Sequence, residues 1–306
     1  MLGKLALPAI RELIDSGDDA TLAEVVNRWL PADLAELFAS LKPAEYVRIL
    51  RLIRPALAAE TFEYLDLGRQ LEILGESTDF ELAYILNEMA PDDRTTLLAE
   101  LPESQTRHLL KLLSPEQRAV AESLLTYPEN SVGRLMTPDY VAVRKEWTIP
   151  RVFDHVREHG KDSETLNVIY VVDDSNRLVD DLRIRELLLA PVHLRVSDLC
   201  DDQSIALSVA DNKETAVGVF GKYDRTALPG GDTQGCLAGI VTLDDVLDVA
   251  EEEATRDIQM FGGVEALDEP YMSTPLPLMI RKRATWLVIL FLGEMLTATA
   301  MGYYED

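Results

Sequence analysis

The sequence predicts a multidomain fold: an all-α superhelical N-terminal domain, an α/β tandem module, a long connecting helix and one transmembrane α-helix. Three observations predict it. Prolines punctuate short amphipathic segments early in the 306 residues, an α/β pattern then occurs twice, and an acidic helix and a long apolar segment follow. A chain of this length has room for two domains and a membrane segment.

From Asp18 to about residue 125 the pattern is helical, with a repeat of roughly a dozen residues. Proline at the first helical position loses no hydrogen bond, because that amide has no intrahelical partner. Ser114 is suited to cap the helix that follows it. Units this short cannot bury an apolar face alone, so we expect them to stack. The prolines are Pro31, Pro43, Pro55, Pro91, Pro102 and Pro115.

After Tyr127 the periodicity becomes that of an α/β module. The pattern predicts a helix over residues 149–159 between short strands, and the same order recurs from Val196 with an offset of about sixty residues. This is an internal duplication of a β-α-β-β-α unit. Gly230 and Gly231 are expected to interrupt one strand of the second copy, where β-branched residues would suit a buried strand better.

Charge and motifs exclude several functions. The chain has 29 Lys and Arg against 54 Asp and Glu, a net charge of −25, so no nucleic acid is expected as a partner, because phosphate binding needs a basic surface. The negative charge fits a protein that binds cations, and it also fits an acidic surface that only keeps the protein soluble. Cys200 and Cys236 are too few for a disulfide framework or a zinc site. No catalytic motif is present, so we do not expect an enzyme.

The apolar segment 284–304 is long enough to cross a bilayer, which takes about 20 helical residues. Its one charge, Glu294, marks either a functional site or a contact with other helices. The basic triplet Arg281–Arg283 precedes it. The positive-inside tendency then places residues 1–280 on the cytoplasmic side of the cell (inner) membrane.

An acidic helix precedes this segment. Asp245, Asp248 and Glu252 are spaced i, i+3, i+7 and share one face. Like charges this close destabilise an isolated helix by about 0.2–0.5 kcal/mol per pair. Magnesium, a hard ion that favours carboxylate oxygens, would offset the repulsion. A solvated helix face is the alternative.

Two motifs of the tandem module, LMTP and GIVTLDD, resemble those of the CBS (cystathionine-β-synthase) pair. Such pairs often bind adenine nucleotides, with a Ser or Thr and an Asp three residues later contacting the ribose. The resemblance implies that Thr242 and Asp245 make this contact. The corresponding positions of the first copy hold Arg183 and Glu186, which depart from the pattern.

The order of the domains resembles the MgtE family of magnesium transporters. The motifs MAPDDR, VGRLMTPDYVAV, GIVTLDDVLDVAEEEAT, QMFGGVEALDE and RKRATWLVILFLGEMLTAT support the resemblance. It implies a cytoplasmic Mg²⁺-sensing and gating portion, in which ions between the domains favour the closed state. It also implies a homodimer through the CBS pairs, a lipid bilayer around the last segment, and ATP as a second ligand. The implied metal ligands are Asp92, Glu214, Asp224, Asp245, Asp248 and Glu253.

Arg256 stands where an acid is usual in that family, so at least one metal site is expected to be weakened. The family has five transmembrane helices, and only the first is expected here. A soluble CBS-pair adenine-nucleotide sensor and a truncated transporter without transport activity stay open as alternatives. The expected parts are an N-terminal segment (1–17), the helical domain (18–127), the CBS copies (128–195 and 196–249), the plug helix (250–280) and the first transmembrane helix (281–306).

Overall fold

The computed structural model describes residues 2–261, 288 and 291–297. The chain divides into two compact units. The first comprises residues 1–213 and 225–242, and the second comprises residues 214–224 and 243–306. The first unit contains a helical domain and the two sheets of the tandem module.

The helical domain is built from ten described helices. They are α1 (Leu2–Ser16), α2 (Asp19–Val26), α3 (Pro31–Phe38), α4 (Pro43–Leu52), α5 (Pro55–Glu63), α6 (Leu67–Glu76), α7 (Asp79–Glu88), α8 (Pro91–Glu100), α9 (Glu103–Leu109) and α10 (Pro115–Leu124). Each is about two to four turns long, so its stability depends on packing against its neighbours.

Local signals set where these helices begin. Five of the six predicted prolines occupy the first helical turn, as expected. Pro102 instead lies one residue earlier, at the N-cap of α9. The Ser114 hydroxyl accepts from the Gln117 amide at 3.2 Å, which confirms the predicted cap. Helices without a proline begin after a capping side chain, and these caps are Asp18, Asp66 and Thr78.

Alternate helices stack to form the domain. Helix α3 packs on α1 and α5, α5 packs on α7, α4 packs on α2 and α6, and α10 packs on α8. Helix α1 precedes the boundary predicted at residue 18, yet its Ile10 and Ile14 belong to the same apolar core as Leu34 and Phe62. The core therefore includes part of the segment 1–17.

The tandem module repeats one topology, as predicted. Each copy has a three-stranded sheet in which the first pair of strands is parallel and the second antiparallel. The predicted helix over residues 149–159 is confirmed. The first copy contains β1 (Ala142–Val143), α11 (Ile149–His159), β2 (Val168–Val172), β3 (Leu178–Arg183) and α12 (Ile184–Leu189). The second contains β4 (Leu207–Ser208), α13 (Lys213–Tyr223), β5 (Ala227–Gly231) and β6 (Leu237–Thr242), followed by α14 (Leu243–Phe261).

The two glycines do not end strand β5, although its pairing with β6 shifts register between them. The first copy has the same shift between Val171 and Val172, so the glycines are not its cause. Gly230 pairs with Leu207 on one side and Gly239 on the other, so the predicted interruption of the strand is wrong. A Cβ atom at Gly230 would clash with the Sδ of Met136, which is fully buried. A β-branched residue here would have to displace the Met136 side chain, which fills that space.

Among the described residues, no helix is both long and apolar enough to cross a membrane. The predicted transmembrane helix over residues 281–306 lies mostly outside the described residues, which include there only the helical positions 288 and 291–297. Residues 262–280 of the predicted plug segment also lie outside them.

Candidate functional site

Helix α14 concentrates negative charge. Between residues 243 and 256 it contains six acids and one arginine. Asp244 and Asp245 lie in its first turn, where the helix dipole favours carboxylates. The dipole does not extend to the acids further along the helix, so their mutual repulsion is not offset in the same way.

Asp248 lies among these acids. Burial raises the pKa of its carboxyl group, and the charges of Glu251 and Asp244 raise it further. The fold thus holds this carboxylate close to others of the same sign. A cation bound here would be favoured by all three side chains.

Arg256 already neutralises part of the helix. Its guanidinium forms ion pairs with Glu253, a predicted metal ligand, and with Glu252 at 3.0 Å. The guanidinium of Arg256 therefore already pairs with the carboxylates of Glu252 and Glu253. This agrees with the expectation that Arg256 weakens a metal site.

Glu214 and Asp224 belong to the other helix of the second unit. Glu214 lies in the first turn of α13, and Asp224 directly follows its last residue, so they are about 15 Å apart along the axis. Both side chains are exposed. Asp224 has φ 55°, a left-handed conformation that Asp tolerates. These two side chains do not form a joint site on one helix.

Asp92 lies in the first unit, in the first turn of α8, and is 6% exposed. Its carboxylate accepts from the Asp93 amide at 3.1 Å. Within the described part of the chain, no three His, Cys, Asp or Glu side chains form a group that could hold a metal ion. Magnesium needs only one or two protein carboxylates and keeps several waters, so the donors fit the ion chemically, and the six positions stay predictions.

A polar cavity of about 190 Å³ opens beside the end of β3. The buried Asp180 carboxylate accepts from three main-chain amides at 2.9–3.1 Å. Asp181 pairs with Arg225 at 2.8 Å, and the two side chains are 5% and 16% exposed. The sequence analysis missed this site, although two adjacent acids in a strand were a signal. The cavity is lined by Asp180, Asp181, Leu182, Arg183, Glu186, Leu199, Asp201, Gln203 and Arg225.

The predicted ribose contacts, Thr242 and Asp245, are in the second copy the sequence equivalents of Arg183 and Glu186. Thr242 ends β6 and is 6% exposed, whereas Asp245 begins α14 and belongs to the second unit. In the first copy the Arg183 amide donates to the Glu186 carboxylate at 3.0 Å. Glu186 thus closes the first turn of α12, and this local role accounts for its presence there.

The comparisons with known proteins identify the family. Residues 29–130 match the MgtE intracellular N domain and residues 132–193 match the CBS domain. The magnesium transporter MgtE of Thermus thermophilus is 36% identical over 306 residues, which are 99% of this chain and 68% of that protein. The chain belongs to the MgtE family of magnesium transporters. The Bacillus subtilis MgtE is 26% identical over 96% of this chain, and the chain spans 65% of its length.

Two solved structures have the same architecture as the helical domain and the tandem module. The cytosolic domain of the Mg²⁺ channel MgtE in complex with ATP has a TM-score of 0.76 at 35% identity, over 79% of this chain and 99% of that one. The soluble part of a magnesium transporter has a TM-score of 0.77 at 25% identity, over 82% and 99%. The predicted helical domain and CBS pair are thereby confirmed, as is the resemblance to MgtE. These relatives are transporters, a class that is not enzymatic.

Proposed function

We propose that this chain is the Mg²⁺-sensing and gating cytoplasmic portion of an MgtE-type transporter, and that its acids bind Mg²⁺ to favour the closed state. The observation that supports this most directly is the charge of α14, which has six acids and one arginine between residues 243 and 256. The proposed ligands are Asp245 and Asp248 on α14, Glu253 after release from Arg256, Glu214 and Asp224 on α13, and Asp92 in the helical domain.

The proposed gating by Mg²⁺ follows from thermodynamic linkage between ion binding and conformation. A cation shifts a conformational equilibrium only by its difference in affinity for the two states. Carboxylates that are close together in one state attract a divalent ion more strongly there than in a state that separates them. High Mg²⁺ therefore favours the compact state, and low Mg²⁺ leaves the acids to repel one another.

Two double variants, each of which removes two negative charges, test the proposed ligands on α14. Asp245→Ala with Asp248→Ala removes the proposed ligands, and Glu12→Ala with Asp15→Ala removes two exposed acids at the same spacing on α1. Small-angle scattering of the full chain in detergent is compared in millimolar Mg²⁺ and in Na⁺ of equal ionic strength. We expect Mg²⁺ to compact the control variant as it compacts the wild type, and to leave the Asp245/Asp248 variant extended. Equal compaction of both variants contradicts the assignment.

The membrane location is part of the proposal. The apolar segment 284–304 is proposed to be the first transmembrane helix, and residues 1–280 are proposed to lie on the cytoplasmic side. Protease protection of the segment in sealed vesicles, with digestion of residues 1–280 only from the cytoplasmic side, tests this orientation.

A homodimer through the CBS pairs is also proposed. Leu188, Leu189 and Val192, at and just after the end of α12, are 64%, 75% and 73% exposed. Three large apolar side chains this close on a surface suit an interface better than water. Sedimentation of the detergent-solubilised chain tests this, since a monomer at micromolar concentration would contradict it.

Adenine nucleotide is the second proposed ligand. A structurally similar MgtE cytosolic domain is known in complex with ATP, and Thr242 and Asp245 are the residues that we propose contact the ribose. Asp244 and Asp248 flank Asp245 and oppose free polyphosphate, so we propose that ATP binds with its Mg²⁺. Equilibrium dialysis with ATP, in Mg²⁺ and in EDTA, tests this. A soluble nucleotide sensor is the alternative function if ATP binds and Mg²⁺ alone has no effect.

A further inference from the structure

A two-residue hinge joins the helical domain to the CBS pair. On one side Tyr127 is still tied to α10, because its amide donates to the last residue of that helix at 3.2 Å. On the other side the Asn130 carbonyl accepts from the Lys213 amide at 2.9 Å, so this residue is already held by the second CBS copy. Pro128 and Glu129 lie between them, and both are exposed. A few loop residues between two held segments are the usual form of a hinge.

The turn Val132–Arg134 follows the hinge and is fixed to the CBS pair. The Val132 amide donates to the Asp211 carbonyl at 2.8 Å, and the Gly133 amide donates to the Val209 carbonyl at 3.0 Å. Helix α8 of the helical domain contacts the same turn. The turn is therefore held by the second CBS copy and lies against the helical domain.

The Arg134 side chain reaches back across the hinge. Its Nη2 donates to the carbonyl oxygens of Leu125 and Tyr127 at 3.2 and 2.6 Å. Leu125 is the C-cap of α10, so the guanidinium meets the helix end at which the dipole favours positive charge. The Nε is buried and makes no hydrogen bond with the described residues. A buried donor without a partner is unfavourable, so the two Nη2 bonds, here called the latch, must outweigh that cost.

The Tyr127 ring makes a second contact across the hinge. A Cβ atom at Gly133 would lie 2.6 and 2.7 Å from the Cγ and Cδ1 of this ring. The ring therefore packs directly on the Gly133 main chain, and a side chain there would push it away. The Ser131 hydroxyl donates to the Pro128 carbonyl at 2.6 Å. Polar and apolar contacts thus hold the end of α10 against the CBS pair.

We propose that Arg134 is a positioning residue that latches the helical domain to the CBS pair and stabilises the compact state without a divalent cation. The latch crosses the hinge, so it breaks when α10 moves away from the turn. The latch and Mg²⁺ then stabilise the same state, and removal of the latch must be offset by more Mg²⁺. This consequence for gating rests on the proposed function, whereas the latch itself does not.

Two variants weaken the contact in different ways. Arg134→Ala removes the latch, and Gly133→Ala displaces the aromatic ring. The matched controls are Arg118→Ala, which removes a half-exposed arginine of α10, and Gly75→Ala, where a Cβ atom meets nothing within 4 Å. Hydrogen exchange and small-angle scattering of the full chain are measured in detergent and EDTA. We expect residues 126–134 to exchange about tenfold faster in both variants, with a larger radius of gyration, and neither change in the controls.

Titration with Mg²⁺ separates positioning from a merely local defect. Two hydrogen bonds from a charged group change an equilibrium by about tenfold. With two ions bound in the closing step, the Mg²⁺ midpoint of compaction rises about threefold in Arg134→Ala, and saturating Mg²⁺ restores the wild-type radius of gyration. Arg134→Lys keeps the charge and has donors for both carbonyl groups, so we expect its midpoint to return close to that of the wild type.

The outcomes decide the latch and the sensor separately. Wild-type exchange and radius of gyration in EDTA for Arg134→Ala overturn the proposal, and so does an equal change in Arg118→Ala. An unchanged Mg²⁺ midpoint in Arg134→Ala also overturns it when the wild type compacts. If the wild type does not compact in Mg²⁺, the proposed sensing fails, and the comparison in EDTA still decides the latch.

Discussion

Replacing Glu63 with Gln is expected to stabilise the protein at alkaline pH and to change its stability little at pH 5. Glu63 ends α5, and burial is the main cause that raises the pKa of its carboxyl group to about 8. The charge of Asp93 raises it further, the Ala90 amide lowers it through a hydrogen bond of 2.8 Å, and Glu60 and Glu164 add smaller increases. Ionisation of Glu63 therefore costs more in the folded state than in the unfolded state.

The sign and size of this stability change follow from the linkage between proton binding and folding. The pKa is about 8 in the folded state and near 4.5 in the unfolded state, so the folded state binds more protons between these values, and stability falls as pH rises through them. Each pKa unit corresponds to about 1.4 kcal/mol, which sets an upper limit of about 5 kcal/mol. Because water reaches part of this half-buried carboxyl group, we expect Glu63→Gln to raise the free energy of unfolding by about 2 kcal/mol at pH 9 and by less than about 1 kcal/mol at pH 5.

Scanning calorimetry of the full chain at pH 5 and pH 9 measures this difference. For a domain of about 100 residues, 2 kcal/mol raises Tm by roughly 10 °C. Glu100→Gln is the matched control, because Glu100 is exposed, also ends a helix, and is not among the charges that raise the pKa of Glu63. An equal change in Tm at both pH values, or the same pH-dependent gain in the control, would refute the electrostatic argument.

Two further predictions concern single residues. Gly230→Val is expected to lower the free energy of unfolding of the CBS pair by about 2–3 kcal/mol, because the new side chain must displace Met136; a change below about 0.5 kcal/mol in urea unfolding would contradict the packing argument. Arg256→Ala is expected to increase the number of Mg²⁺ ions bound in titration calorimetry, because it releases the Glu253 carboxylate; an unchanged stoichiometry would show that these acids do not bind Mg²⁺.

Features governed by local sequence were the ones that sequence analysis predicted well. A proline or a capping side chain fixes the start of a helix within one turn, and the predicted helix over residues 149–159 matches Ile149–His159. The duplication of the CBS pair was also visible, because each copy repeats the same order of apolar strands and helices. The chain's family could be inferred from these patterns together with a few motifs.

Features that depend on distant contacts were missed. Asp181 and Arg225 are 44 residues apart and pair only in the folded chain, so the adjacent acids of β3 gave a signal for the site but not for the arginine that completes it. Gly230 resembled a defect in a strand because the residue that fills its space, Met136, lies on another segment. The burial of Arg94 was missed for the same reason, because the main-chain carbonyl groups that accept hydrogen bonds from its guanidinium precede its own helix.

Limited proteolysis of the full chain tests Mg²⁺ sensing most directly. Trypsin digestion in detergent is compared in millimolar Mg²⁺ and in Na⁺ of equal ionic strength, and cleavage is followed after Arg134 and after Arg256. We predict that Mg²⁺, and not Na⁺, slows cleavage at both positions in the wild type and at neither in the Asp245→Ala, Asp248→Ala variant. Identical digestion of the wild type in both salts would contradict a magnesium sensor and leave an acidic CBS scaffold.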